Sequence, residues 1–414
     1  MSSRLSLFAP FAPFAQLTSK QRHAFAASLA GWALDAFDFF LFVFAVTAIS
    51  RDFHAEVKAV AQGIAWTLAM RPVGALAFGY LAERYGRRPI LMVNVVSYSL
   101  CELASAAAPS LHVLLGLRAL FGFAMGGEWG VGAALALETL PAKNRGFFSG
   151  LLQEGYVLGF LLASVVYRFL FGAIGWRGMF VVGALPALLV FYIRRTVDES
   201  PAWVAGGAAR RASVAEVARA VVRNFSTFAF LVLLMACFNA LSHGSQDLYP
   251  TFLQAQRGFD VATTATIAIV FNLGALAGGI TFGSLSERVG RRRAIATAAV
   301  LVLPAIPMWA YSTSAAWLAV GAFVMQFMVQ GAWGVVPAHL NELSPPSVRA
   351  ILPGFAYQLG NLAMAMMAPV QAWCAHAGGN DYARVLSWTV GTAAAILAGV
   401  TLAGRERKHA ALEV

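Results

Sequence analysis

The residues best suited to chemistry lie just past the midpoint, in N-A-L-S-H-G-S-Q-D-L-Y-P-T from Asn239 to Thr251. Asn239, His243 and Asp247 recur every four residues, so on a helix they share one face, with Gln246 beside them. They follow directly on the apolar run F-A-F-L-V-L-L-M-A-C-F, which places that face at hydrocarbon depth. An ionisable group at the bilayer centre costs roughly 2.5 to 3.5 kcal/mol on insertion scales, so the default reading is a substrate or proton pathway. His243 can exchange a proton at physiological pH. Asp247, one turn on, can hold or accept it, and Asn239 and Gln246 can orient carboxylate oxygens. The competing reading is a face that only binds water and the first helix through hydrogen bonds.

A second set lies in the first helical segment, G-W-A-L-D-A-F-D-F-F-L-F-V-F, where Asp35 and Asp38 are i, i+3 neighbours among five phenylalanines. Two carboxylates so close in an apolar setting cannot both ionise cheaply, which suits reversible protonation. Arg118 falls in step with Gly122, Gly126 and Gly130, a ladder of small residues that admits another helix. Its planar fork fits a carboxylate, so Arg118 either holds a substrate anion or pairs with Glu102 or Glu128. Arg71, beside Pro72, reads as an inter-helical ion pair. Glu154 lies about two turns inside the fifth segment and joins the proton-coupling candidates. Gln326, Gln330, Gln358 and Asn361 are either helix glue or ligand contacts.

These residues need an apolar scaffold, and the composition supplies one: 59% of the 414 residues are hydrophobic and 12% charged, against about a quarter charged in soluble domains. About twelve segments of roughly 20 apolar residues can be counted, separated by short loops. The predicted class is an all-α polytopic membrane protein with twelve transmembrane helices in two six-helix halves. The expected organisation is a leader over 1–23, a bundle over 24–196, a linker over 197–224, a second bundle over 225–404 and a tail over 405–414. The net charge of +11 could suggest nucleic acid, but most Lys and Arg fall in the loops of one side, which is the positive-inside pattern. Both termini are therefore expected to be cytoplasmic, in the inner membrane, with no cleaved signal peptide. Cys101, Cys237 and Cys374 lack metal spacing and read as small buried residues. No metal cluster, phosphate loop or nucleophile triad supports an enzyme, and no cofactor beyond coupling protons is expected.

The chain is also duplicated. One constant offset lays G-Y-L-A-E-R-Y-G-R-R (Gly79 to Arg88) on G-S-L-S-E-R-V-G-R-R (Gly283 to Arg292), then Trp129, Glu138, Pro141 and Arg145 on Trp333, Glu342, Pro345 and Arg349. The same offset sets Asn239 against Asp35 and Gln358 against Glu154. Such repeats place the substrate between the halves, near the midplane. The paired loop motif resembles the signature of the major facilitator superfamily, with glutamate where the family often has aspartate. Gly79, Glu83, Arg84, Gly86, Arg87, Arg88, Glu138 and Arg145, with Gly283, Glu287, Arg288, Gly290, Arg291, Arg292, Glu342 and Arg349, read as a conformational latch. D-E-S-P-A-W, Asp198 to Trp203, is similar to an element ending the sixth helix in several branches. The stretch G-G-E-W-G-V-G-A-A-L-A-L-E-T-L-P-A-K-N-R-G resembles the sialate/lactate-type proton symporters. Asn239, Ser242, His243, Ser245, Gln246, Asp247 and Thr251 meet every fixed position of the fungal-type lactate and monocarboxylate permease motif N-x-x-S/T-H-x-S/T-Q-D-x-x-x-T.

The resemblance implies proton-coupled uptake of a small monocarboxylate such as lactate or pyruvate by alternating access. Arg118, Asn239, His243 and Gln246 would bind the substrate, and Asp35, Asp38, Glu154, His243 and Asp247 would couple protons. The alternatives are symport of sialic acid or another hydroxylated acid, and proton-coupled efflux. The expected partners are an organic acid anion, protons and the lipid bilayer, with the chain acting as a monomer and binding no nucleic acid.

Overall fold

In the computed structural model, residues 14, 16–140, 145–206, 219, 222–344 and 352–406 are described. Helices account for nearly all of them. The first half comprises α1 (Ser19–Asp52), α2 (Val57–Tyr85), α3 (Arg87–Ala106), α4 (Leu111–Thr139), α5 (Arg145–Gln153 continuing through 155–174) and α6 (176–182, a 3-10 turn Leu185–Leu188, then Leu189–Thr196). The second comprises α7 (Phe225–Gln246 and Tyr249–Ala255), α8 (Val261–Val289), α9 (Arg291–Leu301, ending in a π turn Pro307–Tyr311), α10 (Ala315–Trp333 and Val336–Leu343), α11 (Leu352–Ala363 and Met367–Ala377) and α12 (Tyr382–Ala403).

Among the described residues, ten helical stretches are long and apolar enough to cross a membrane unaided. One of them, Gly150–Val182, runs from α5 into the start of α6, the two parting at Gly175, where φ is 61°. The helix α11 is interrupted after Ala363, so neither of its pieces spans alone. With these breaks resolved, the twelve-helix architecture expected from hydropathy is the one observed.

Local chemistry sets several helix starts. Thr18 caps α1 in a reciprocal box with Gln21, and Asp260 and Asp381 accept from the backbone N–H groups of Thr263 and Arg384 to start α8 and α12. Each side-chain oxygen satisfies a donor that the helix leaves orphaned. The polarity is inverted relative to a soluble protein: Phe169, Phe191, Ile280 and Trp388 face outward, while Asp35, Asp38, Arg71, Glu102, Arg118, Glu128 and Asp247 are buried. This is the arrangement a hydrocarbon solvent imposes.

The glycine ladder of α4 is used in part. A Cβ on Gly122 would overlap the carbonyl oxygen of Thr67, and one on Gly126 that of Arg71, so α2 and α4 meet backbone to backbone. The second half repeats the device, with Gly278 of α8 against Phe327 of α10. Gly130 departs from the expectation, because no atom lies within 4 Å of the position its Cβ would take. Gly126→Ala is therefore expected to cost about 1–3 kcal/mol through overpacking, seen as a lower melting temperature in detergent. Gly130→Ala should melt with the parent; equal melting of all three proteins would refute the contact.

The signature loops are built alike. Gly86 and Gly290, at φ 108° and 98°, turn the chain between helices in a region that favours glycine. Arg87 Nη2 lies 3.2 Å from Glu138 Oε1, and Glu138 also accepts from Ser200 Oγ. Arg291 lies 3.0 Å from Glu342 and 2.7 Å from Glu287. Glu199 accepts from the backbone N–H of Arg87 at 2.9 Å, and Glu406 from that of Arg291 at 3.2 Å. Arg88 and Arg292 donate to the backbone oxygens of Arg194 and Thr401, tying α3 to α6 and α9 to α12. Gly79 has open space around it, Gly283 sits against Gly334, Arg288 lies in the last turn of α8, and Arg84 lies over the Tyr85 ring. Arg349 and the side chains of Glu83 and Arg145 lie outside the described residues.

Candidate functional site

The Asn239 face of α7 is where the halves meet. Gln153 and Tyr156 of α5 and Asn239, Ser242, His243, Gln330, Trp333 and Tyr357 of the second half line a narrow cavity. It is tightly closed, with room for about one water at most. The expected pairing of Asn239 with Asp35 across this cavity is not what lines it: Gln153 and Tyr156 face Asn239 from the first half. Asp35 is fully buried and is not among the residues that line the cavity.

On α7, His243 Nδ1 lies 3.2 and 3.1 Å from the two Asp247 oxygens, and Nε2 lies 3.2 Å from Asn361 Oδ1 of α11. The Asn361 amide nitrogen donates to Gln358 Oε1 at 3.4 Å. Both ring nitrogens thus face oxygen atoms of polar side chains. The Phe39 ring of α1 packs edge-on at 6.3 Å. Gln246 turns away from the cavity, donating to Ser242 Oγ at 2.9 Å and to Gln326 Oε1, while Gln326 donates to Ser245 Oγ. Asn239 donates to the Met235 carbonyl of its own helix, leaving its amide oxygen for the cavity.

The two arginines of the first half have different surroundings. Arg118 Nη1 lies 2.8 Å from Glu102 Oε1, its Nη2 donates to Ser105 Oγ at 2.9 Å, and Phe42, Phe121 and Phe180 enclose it. Its charge is matched by Glu102 and aromatic rings surround it. Arg71 is equally buried, yet its Nε and Nη2 find no hydrogen-bond partner among the described residues. Its guanidinium lies between the rings of Trp32, at 5.9 Å, and Tyr357, at 5.7 Å. Tyr357 lines the cavity, so one ring separates Arg71 from it, and the backbone of Arg71 is fixed by the close α2–α4 contact at Gly126.

Asp35, Asp38 and Glu128 are also buried, and none of their oxygens has a partner among the described residues. Glu154 interrupts α5, and its carboxyl reaches the other half, where a Cβ on Gly279 of α8 would overlap it. Among the described residues no group of His, Cys, Asp and Glu could hold a metal ion.

Comparison with known proteins agrees with the fold. The family model for sugar and other transporters matches residues 23–224, and that of the Major Facilitator Superfamily matches 248–413. The carboxylic acid transporter protein homolog of Saccharomyces cerevisiae is 30% identical over 414 residues, covering 91% of this chain and 67% of its own. The chain belongs to the major facilitator superfamily. A second relative, the sialic acid transporter NanX of Escherichia coli, is 28% identical, covering 87% of this chain and 88% of its own. The partially occluded, inward open structure of the xylose transporter XylE from E. coli superposes with a TM-score of 0.79 at 17% identity, over 94% of this chain and 99% of the other. That likeness carries the fold. Family membership makes the chain a membrane transporter and not an enzyme.

Sequence reasoning had treated Arg71 as an ion pair and had given Glu128 no role beyond pairing with Arg118. A lone arginine in an apolar helix shows its sign but not its partner. The missing signal was the register of the glycine ladder, which sets Gly126 on Arg71 and so turns that residue toward the inside.

Proposed function

We propose that the protein is a proton-coupled symporter that takes up a small monocarboxylate, such as lactate or pyruvate, by alternating access. The observation that carries this reading is Arg71. It is a buried guanidinium with unfilled donors, flanked by two aromatic rings, one of which, Tyr357, lines the cavity between the halves. A planar carboxylate is the anion such a fork receives best. His243, Asn239 and the Gln358–Asn361 pair would orient the rest of the acid, and Gln246 would stiffen α7 from behind. The His243–Asp247 pair, the α1 carboxylates and Glu154 supply titratable groups for coupling. Protons would be the only coupling ion, with no cofactor.

The printed names of both relatives concern acids, one a carboxylic acid and one sialic acid, which supports an organic acid as cargo. A monocarboxylate and one proton carry no net charge together, so the pH difference would drive uptake. The basic loops favour a chain with both termini in the cytoplasm, seated as a monomer in the cytoplasmic membrane. The test is labelled lactate uptake into proteoliposomes under an inward proton gradient, challenged with pyruvate, acetate, dicarboxylates and sialic acid. Competition by pyruvate and acetate above the others is expected. Competition by sialic acid alone would transfer the reading to that substrate, and no uptake or inhibition with any acid would remove it.

A further inference from the structure

The cavity between the halves admits about one water, so an acid can seat there only when a lining side chain moves aside. Tyr357 is a lining residue that lies on a charge. Its ring stands 5.7 Å from the Arg71 guanidinium, which Trp32 flanks at 5.9 Å. The same ring packs on two tryptophans, Trp129 of α4 at 5.7 Å and Trp333 of α10 at 5.9 Å. Gly354, one turn before Tyr357, leaves the room for this: a Cβ there would come within 3.1 Å of the Trp129 ring.

Trp129 and Trp333 are counterparts under the internal duplication, and they stand at matching distances from the ends of α4 and α10, Thr139 and Leu343. Since successive helices alternate in direction, those ends and the start of α11 at Leu352 lie on the side that carries the Gly86 and Gly290 loops. Tyr357 is one turn nearer that side than Asn361, the partner of His243. One ring therefore joins the halves on the loop side of the polar residues and also covers the candidate anion seat. A cation over a ring is held more weakly than a cation in a charge-assisted pair with a carboxylate, so an acid can displace the ring. A rigid ring that rests on Arg71 and both tryptophans at once cannot leave one without disturbing the others.

Resting on the assignment of Arg71 to the substrate carboxylate, we propose that Tyr357 is a positioning residue that couples acid binding to opening of the loop side. In the empty carrier its ring covers Arg71 and ties Trp129 of the first half to Trp333 of the second. An acid arriving from the opposite side takes the guanidinium, the ring swings off, and the tie between the halves is released. When the acid leaves, the ring returns to Arg71 and closes the path. Tyr357 need make no bond to the acid; its part is to be displaced by it.

The test uses the full chain with Cys101, Cys237 and Cys374 replaced by serine and spin labels on Arg195→Cys and Arg405→Cys, exposed positions by the loop-side ends of α6 and α12. Lactate at equal pH is expected to shift the distance between the labels to longer values. Tyr357→Phe keeps the aromatic face and should respond in the same way. Tyr357→Leu should show the longer distance without lactate, and its half-saturating lactate in exchange should fall about threefold, because no ring competes for Arg71. Trp129→Leu should also open without lactate but with half-saturation unchanged, since the ring still covers Arg71; if Tyr357→Leu fails to fold, this variant carries the test alone. A purely structural role for Tyr357 would lower folded yield without tightening lactate. A lactate-insensitive distance in the transporting parent, a lost response in Tyr357→Phe, or weaker lactate binding by folded Tyr357→Leu would overturn the proposal. If the unaltered protein neither exchanges nor accumulates any acid, the carboxylate reading itself fails.

Discussion

Arg71→Gln is expected to reduce lactate uptake and exchange together by at least about 100-fold, roughly the 3 kcal/mol that a buried charge-assisted contact is worth. The protein should still fold. Arg71 makes no ion pair within 4.0 Å among the described residues, so its removal breaks no salt bridge. Glutamine retains a donor between Trp32 and Tyr357 but not the charge or the fork. Arg118→Gln makes the contrast, because Glu102, fully buried and 2.8 Å away, would lose its counter-charge. Removing one partner of a buried pair typically costs about 3–5 kcal/mol, so that variant should fail at the level of folded yield. Size-exclusion profiles with uptake and exchange assays separate the two cases. Uptake within threefold of the parent in a folded Arg71→Gln protein would return the substrate anion to another group.

The difference between these arginines also shows what the chain discloses by itself. Hydropathy and loop charge are one-dimensional properties, so the twelve helices, their order and the repeated Gly86 and Gly290 turns could be read directly. The Asn239–Thr251 face was legible for the same reason, since three polar residues at four-residue spacing fix their own relative orientation. Partner choice is a three-dimensional property. Arg118 meets Glu102 only because α3 packs beside α4, and Arg71 meets Tyr357 only because α11 of the other half packs on α2. Gln246 shares the helix with His243 but lies far enough around it to bond Gln326 on α10 instead of lining the cavity. The partners of Glu199 and Glu406 are not legible because each acts from beyond the end of its half, on backbone N–H groups that leave no mark in the sequence. The breaks in α6 and α11 hide within apolar composition, where a glycine at positive φ or an interrupted turn changes the path without changing hydropathy.

Asp247→Asn should leave expression and folding intact and abolish the stimulation of lactate uptake by acid. The side chain sits at the end of the first segment of α7, accepting from the ring of His243, whose other nitrogen meets Asn361 across the helix interface. With a carboxylate in that place the imidazole can gain a proton without leaving a net charge in the interior. Asparagine keeps the volume and one acceptor, so packing survives, but protonated His243 would then be an uncompensated buried cation. Uptake should lose its rise between pH 8 and pH 6, by about tenfold or more if the dyad passes the coupling proton. Exchange at equal pH should fall less than proton-driven accumulation, because the substrate's anchor at Arg71 is untouched. This asymmetry separates a proton relay from a binding contact: a variant that lost both activities in proportion would place Asp247 among the substrate ligands, and wild-type uptake at pH 6 would remove it from coupling.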